Sequence, residues 1–142
     1  MAGYSGTPLA KKLGIKPGQR VALLAAPSEA TALLQPLPDD VKLDLDPRGK
    51  GPWDVILLYC RSHAELTKRF DGAKKKLSVD GGLWLCWPKR ASGVATDLNE
   101  NLVREHALAE GLVDNKVCAV DETWSGLRLV YRLKDRPSKR SS

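Results

Sequence analysis

Hydrophobic positions come in short continuous runs separated by stretches with a period near four. Residues 20–26 form an apolar run bounded by Gly18 and Pro27, the pattern of a strand buried on both faces. Residues 41–45 alternate with period two and give a second strand. Between them Ser28 stands where it caps a brief helix running to Leu34, which Pro36 and Pro38 end. Residues 53–60 form the most apolar strand of the chain. Directly after it, Ser62 and Glu65 have the spacing of a capping box. The helix that follows places Leu66, Phe70, Ala73 and Leu77 on one stripe, with Lys68, Arg69 and Lys74, Lys75 and Lys76 pointing away. Asp80, Gly81 and Gly82 read as a turn into a fourth strand over residues 83–87, stopped by Pro88. Thr96 or Asp97 starts a further helix whose apolar face is Leu98, Leu102, Ala109, Leu112 and Val113. Residues 117–120 and 127–133 close the chain as an antiparallel hairpin.

Alternating strands and helices predict a three-layer, Rossmann-like α/β fold with a mostly parallel six-stranded sheet. The closing hairpin adds an antiparallel pair, and the expected strand order is 2-1-3-4-6-5. That order is the class I methyltransferase pattern with one strand missing. The expected organisation is an N-terminal arm with a short helix (residues 1–18), a single α/β domain (19–134) and a basic disordered tail (135–142).

A length of 142 residues and 42% hydrophobic content suit one compact domain. No apolar run is long enough to span a bilayer and Lys11 and Lys12 precede no signal-like apolar stretch, so the expected location is cytoplasmic, with no membrane partner. Three cysteines, Cys60, Cys86 and Cys118, lie in or at the ends of apolar runs without metal-ligand spacing, and they read as buried thiols. The net charge of +6 raises nucleic acid as a partner. Its distribution argues against it, because the cations fall on a helix's polar side and in the tail.

Several segments carry a resemblance: Gly82-Leu83-Trp84 through Trp87-Pro88-Lys89, Ala91-Ser92-Gly93-Val94-Ala95-Thr96-Asp97-Leu98, and Asp121-Glu122-Thr123-Trp124-Ser125-Gly126. Over nearly its whole length the chain resembles a family of small bacterial proteins catalogued only as a domain of unknown function. The resemblance brings no assigned catalytic or binding residues. A fainter similarity to methyltransferases, in the strand from Trp53 and the Asp80-Gly81-Gly82 turn, implies fold and not chemistry.

A methyl-donor or dinucleotide site needs glycines after the first strand so that backbone can approach the ligand. Ala25-Ala26-Pro27-Ser28-Glu29 offers none, and the expectation is no cofactor, no metal and no catalytic residue. Asp46 alone keeps a cofactor-like position, at the end of the second strand where a carboxylate can meet ribose hydroxyls. Ligands of open α/β sheets sit beyond the carboxyl ends of the strands where the order reverses. Ser28 and the Arg61-Ser62-His63 turn are there, and the latter sets a cation, a hydroxyl and an imidazole at a helix N-terminus that favours an anion. Lys89 and Arg90, beside Trp87, suit an acidic ligand, and Trp124 is the candidate for covering the core edge or anchoring a protein partner.

The function this supports is a non-enzymatic binding or regulatory domain holding a small anion or a protein partner at the carboxyl-end loops. The alternative is an S-adenosylmethionine- or nucleotide-dependent enzyme. Two open sheet edges leave room for a homodimer.

Overall fold

The computed structural model describes residues 8–46 and 48–135; all of the expected basic tail after Asp135, and the first part of the expected arm, lie outside the described residues. In chain order the elements are α1 (Leu9–Lys12), β1 (Arg20–Leu24), α2 (Ala30–Leu33), β2 (Lys42–Asp44), β3 (Trp53–Tyr59), α3 (His63–Lys75), β4 (Leu77–Pro88), α4 (Glu100–Ala109), β5 (Leu112–Ala119) and β6 (Trp124–Tyr131). Short 3-10 turns occupy Arg90–Ser92 and Leu133–Asp135. The six strands form one sheet in the order β2-β1-β3-β4-β6-β5. Strands β2, β1, β3 and β4 run parallel, and β6 pairs antiparallel with both β4 and β5. The expected fold and order are those observed.

Continuous apolarity in β1 and β3 follows from burial on both faces. Val21, Leu23, Val55 and Leu57 point to one side, where they pack with Ala10 and Leu13 from the N-terminal segment and with Ala30 and Leu34. Ala22, Leu24, Ile56 and Leu58 point to the other, against Leu66 and Phe70 of α3 and Val103 and Ala107 of α4. Residues 9–15 therefore fold onto the chain's own sheet. The Trp84 indole Nε1–H fixes them there by donating to the Leu13 carbonyl at 3.0 Å.

The largest differences from the sequence expectation are at β4, α4, β5 and β6, each for a local reason. The glycine pair before the fourth strand is not a turn but an irregular stretch inside β4. Leu77 lies opposite Trp53 and Gly82 opposite Val55, so β4 takes extra residues where β3 advances by two. Gly81 makes this possible, because a Cβ there would sit 2.5 Å from the Asp54 carbonyl oxygen.

Helix α4 begins later than expected. Asn99, not Thr96 or Asp97, caps it by accepting the Leu102 N–H at 2.9 Å. The buried stripe is accordingly Val103 and Ala107, while Leu102 and Ala109 face solvent. Gly111, at φ +88°, turns the chain directly into β5. Leu112 and Val113 belong to that strand, not to the helix.

Strand β5 starts five residues before the expected Val117. Its polar stretch Asp114, Asn115 and Lys116 hid it, and that polarity belongs to an outer edge strand with a register shift between Asp114 and Lys116. Strand β6 starts at Trp124 instead of Leu127, and the chain after Tyr131 leaves the sheet for a 3-10 turn. The hairpin is correspondingly tight, with Asp121 Oδ1 accepting the N–H groups of Thr123 and Trp124, both at 2.8 Å.

Candidate functional site

The sheet order reverses between β1 and β3, so the crevice to inspect lies beyond the carboxyl ends of these strands. Ala25, just past β1, adopts φ +56°, a left-handed conformation that favours glycine. The turn has a geometry a glycine loop would take, yet it carries a methyl group and then Pro27. The cavity next to it, between Leu23, Pro27, Ser28, Thr31 and Leu45, holds about 280 Å³. That is just below the range for small-molecule sites, about 300–1,000 Å³.

Ser28 is exposed and does not cap α2 as expected. The cap position is Glu29, without a side-chain cap bond, and the Ser28 hydroxyl lies 3.5 Å from a Glu29 carboxylate oxygen. Asp46 stands beyond the end of β2, and Arg48 already occupies it. The Arg48 Nε and a terminal guanidinium nitrogen each donate to the Asp46 carboxylate at 3.1 Å, and the Arg48 backbone N–H does so at 2.9 Å. These bonds hold the Asp46 carboxyl below the usual carboxylate range. A ribose seeking this carboxylate competes with a two-pronged ion pair.

At the start of α3, Ser62 is the cap, accepting the Glu65 N–H at 3.2 Å. The Glu65 carboxylate folds back to accept the Arg61 N–H at 2.8 Å and pairs with Arg69 at 3.1 Å. The next N–H group, that of His63, donates to Asp97 Oδ1 at 2.7 Å. The helix terminus does attract an anion, but the anion is the protein's own carboxylate from the loop after β4. Nothing local in the sequence signals this contact, since the partners are far apart in the chain.

Arg61 lies with its guanidinium carbon 5.3 Å from the Trp124 ring centroid. Beneath it Trp124 is only 4% exposed and meets Tyr59 edge-on at 5.0 Å. The indole thus covers the core edge and shows little surface to a partner. Cys60, wholly buried at the end of β3, has its thiol pushed up to about 12 by desolvation, which leaves it far from thiolate chemistry. The His63 ring is exposed. His106 packs edge-on against Phe70 at 4.9 Å, and partial burial lowers its pKa.

Lys89 and Arg90 stand differently. They follow β4 at the carboxyl end of the sheet and line a cleft of about 610 Å³ with Trp87, Thr96, Asn99 and Ser125. The Lys89 N–H donates to the Thr123 carbonyl at 2.8 Å, and the Ser92 hydroxyl donates to the Lys89 carbonyl at 2.6 Å, which holds the loop to the hairpin. Among the described residues neither the Lys89 ammonium nor the Arg90 guanidinium enters an ion pair. Asp97 and Glu100 lie on the opposite wall, with Glu100 bonded to Arg104. Among the described residues no group of His, Cys, Asp and Glu is arranged to hold a metal ion, and no helix is long and apolar enough to cross a membrane.

This architecture is that of the methyltransferase-like α/β proteins. The chain resembles a SAM-dependent methyltransferase from Aquifex aeolicus (TM-score 0.59, 14% identity, 85% of this chain and 86% of that one). It is similar to magnesium protoporphyrin IX methyltransferase from Synechocystis PCC 6803 with bound SAH (TM-score 0.60, 13% identity, 87% of this chain and 78% of that one). It also resembles TrmN from Thermus thermophilus (TM-score 0.55, 17% identity), covering 87% of this chain and only 47% of TrmN. At such identities the likeness establishes the fold alone. No curated protein matches the sequence. Residues 10–133 match the family described as protein of unknown function, DUF3052, and the chain belongs to that family.

The residues present do not fit the methyl donor of this fold class. A methyl group and Pro27 stand where backbone clearance is needed, the cavity on the Pro27 side of Ala25 is small, and Asp46 is bound to Arg48.

Proposed function

We propose that the chain is a non-enzymatic binding or regulatory domain that holds a small anion in the cleft of Lys89 and Arg90. One observation carries this reading. These two cations line a roomy carboxyl-end cleft without ion pairs among the described residues, whereas the other anion-favouring position, at the start of α3, is satisfied internally. Two unpaired cations on one loop suit a multiply charged ligand, or the carboxylates of a protein partner entering the same cleft.

Calorimetric titration with citrate and with inorganic phosphate tests it. Saturable binding is expected, weakened about tenfold for each of Lys89→Ala and Arg90→Ala, the scale of one lost hydrogen bond to a charge. Affinity unchanged in the double variant contradicts the assignment. The second reading, an S-adenosylmethionine- or nucleotide-dependent enzyme, draws its support from the fold likeness and the place of Asp46 at the end of β2.

A further inference from the structure

The helix layers are incomplete in one place, and the handedness of the connections says where. The β1 to β2 connection moves towards the sheet edge and carries α2 on one face. The β2 to β3 connection moves back across β1, so a right-handed crossover passes over the opposite face, the side of α3. Among the described residues of that connection, 45–46 and 48–52, there is no helix. Among the described residues the slot over β1 beside α3 has no covering element. A cavity of about 510 Å³ occupies it, well within the range of small-molecule sites.

Its floor is apolar: Leu24 and Leu58 from the sheet, and the indole of Trp53. Its rim is cationic. Lys68 and Arg69 come from α3, and Lys76 follows the helix with its ammonium 5.5 Å from the Trp53 ring centroid. Arg69 is engaged by Glu65, while Lys68 forms no ion pair among the described residues. One further feature distinguishes the slot from an ordinary packing defect. Gly72, in the middle of α3, lines it with open space where a Cβ would stand, although a glycine there weakens the helix. The Trp53 Nε1–H is buried and has no acceptor among the described residues.

We propose that this cavity is a second binding site, separate from the Lys89 and Arg90 cleft, and that its occupant is a small amphiphilic anion: a compact apolar body ending in a carboxylate. The apolar body lies on Leu24, Leu58 and Trp53, and the carboxylate meets the cations at the rim. The opening is too small for a protein interface on its own, since stable interfaces bury about 1,200 Å² or more.

Titration of the full chain with decanoate and with decanol, followed by calorimetry and indole fluorescence, tests this. Decanoate is expected to bind more tightly than decanol. Lys68→Glu is expected to weaken decanoate and leave decanol unchanged. Gly72→Leu fills the open space and is expected to weaken both at least about tenfold. Its melting temperature should hold or rise, because leucine is the better helix former, which separates occlusion from unfolding. No decanoate binding at millimolar concentration, equal affinity for the two probes, or a folded Gly72→Leu variant with unchanged affinity overturns the proposal. So does binding only of an acidic amphipathic helical peptide.

Discussion

The carboxylate of Asp97 is the residue on which the reading of the α3 terminus turns. Ser62 and Glu65 were legible as helix-start residues because a cap acts within one turn, and both bond there, although Glu65 reaches the Arg61 N–H one residue before the box position. Asp97 was not legible in that role, since its partner is the His63 N–H across the sheet's carboxyl end. Arg48 lies two residues from Asp46, yet sequence spacing alone does not say that a loop will close into a two-pronged pair. Replacing Asp97 by Ala removes the acceptor at the helix terminus. The expected cost is about 1 kcal/mol, the scale of a lost cap, read as a lowered urea midpoint with unchanged slope. A midpoint equal to that of the parent protein shows that the bond is not formed in solution.

Elements with a strong period were legible and elements at edges were not. Leu66, Phe70 and Ala73 form the α3 stripe because a helix packed on a sheet needs an apolar face, whereas Leu77, expected on that stripe, lies beyond the helix as the first residue of β4. Strand β5 was half hidden, since its outer side faces solvent and Asp114, Asn115 and Lys116 interrupt its apolar pattern. The α4 face was misjudged because Asn99 shifts the helix start and carries Val103 and Ala107 inward. The bulge in β4 was mistaken for a turn, as Asp80, Gly81 and Gly82 suit either. Its test is Gly81→Ala. The new Cβ meets the Asp54 carbonyl oxygen at 2.5 Å, a backbone atom that cannot step aside, so a loss of about 1–3 kcal/mol in denaturant unfolding is expected. A turn at this position, without the close approach, would tolerate the methyl group.

At the scale of the whole molecule, topology was accessible because few arrangements satisfy alternating elements, right-handed crossovers and a closing hairpin together. The chemistry was less so. A missing glycine is visible in a sequence, but an occupied carboxylate, a self-capped helix terminus and a helix-free crossover that leaves a cavity are properties of the assembled chain. The combination gives a methyltransferase-like framework with a small cavity between Ala25 and Leu45, and larger cavities beside α3 and at the Lys89 loop. The most direct measurement is calorimetric titration of the full chain with S-adenosylmethionine. The account predicts no saturable binding up to millimolar concentration, and identical behaviour of the parent protein and Asp46→Ala. Micromolar affinity that Asp46→Ala abolishes would contradict it.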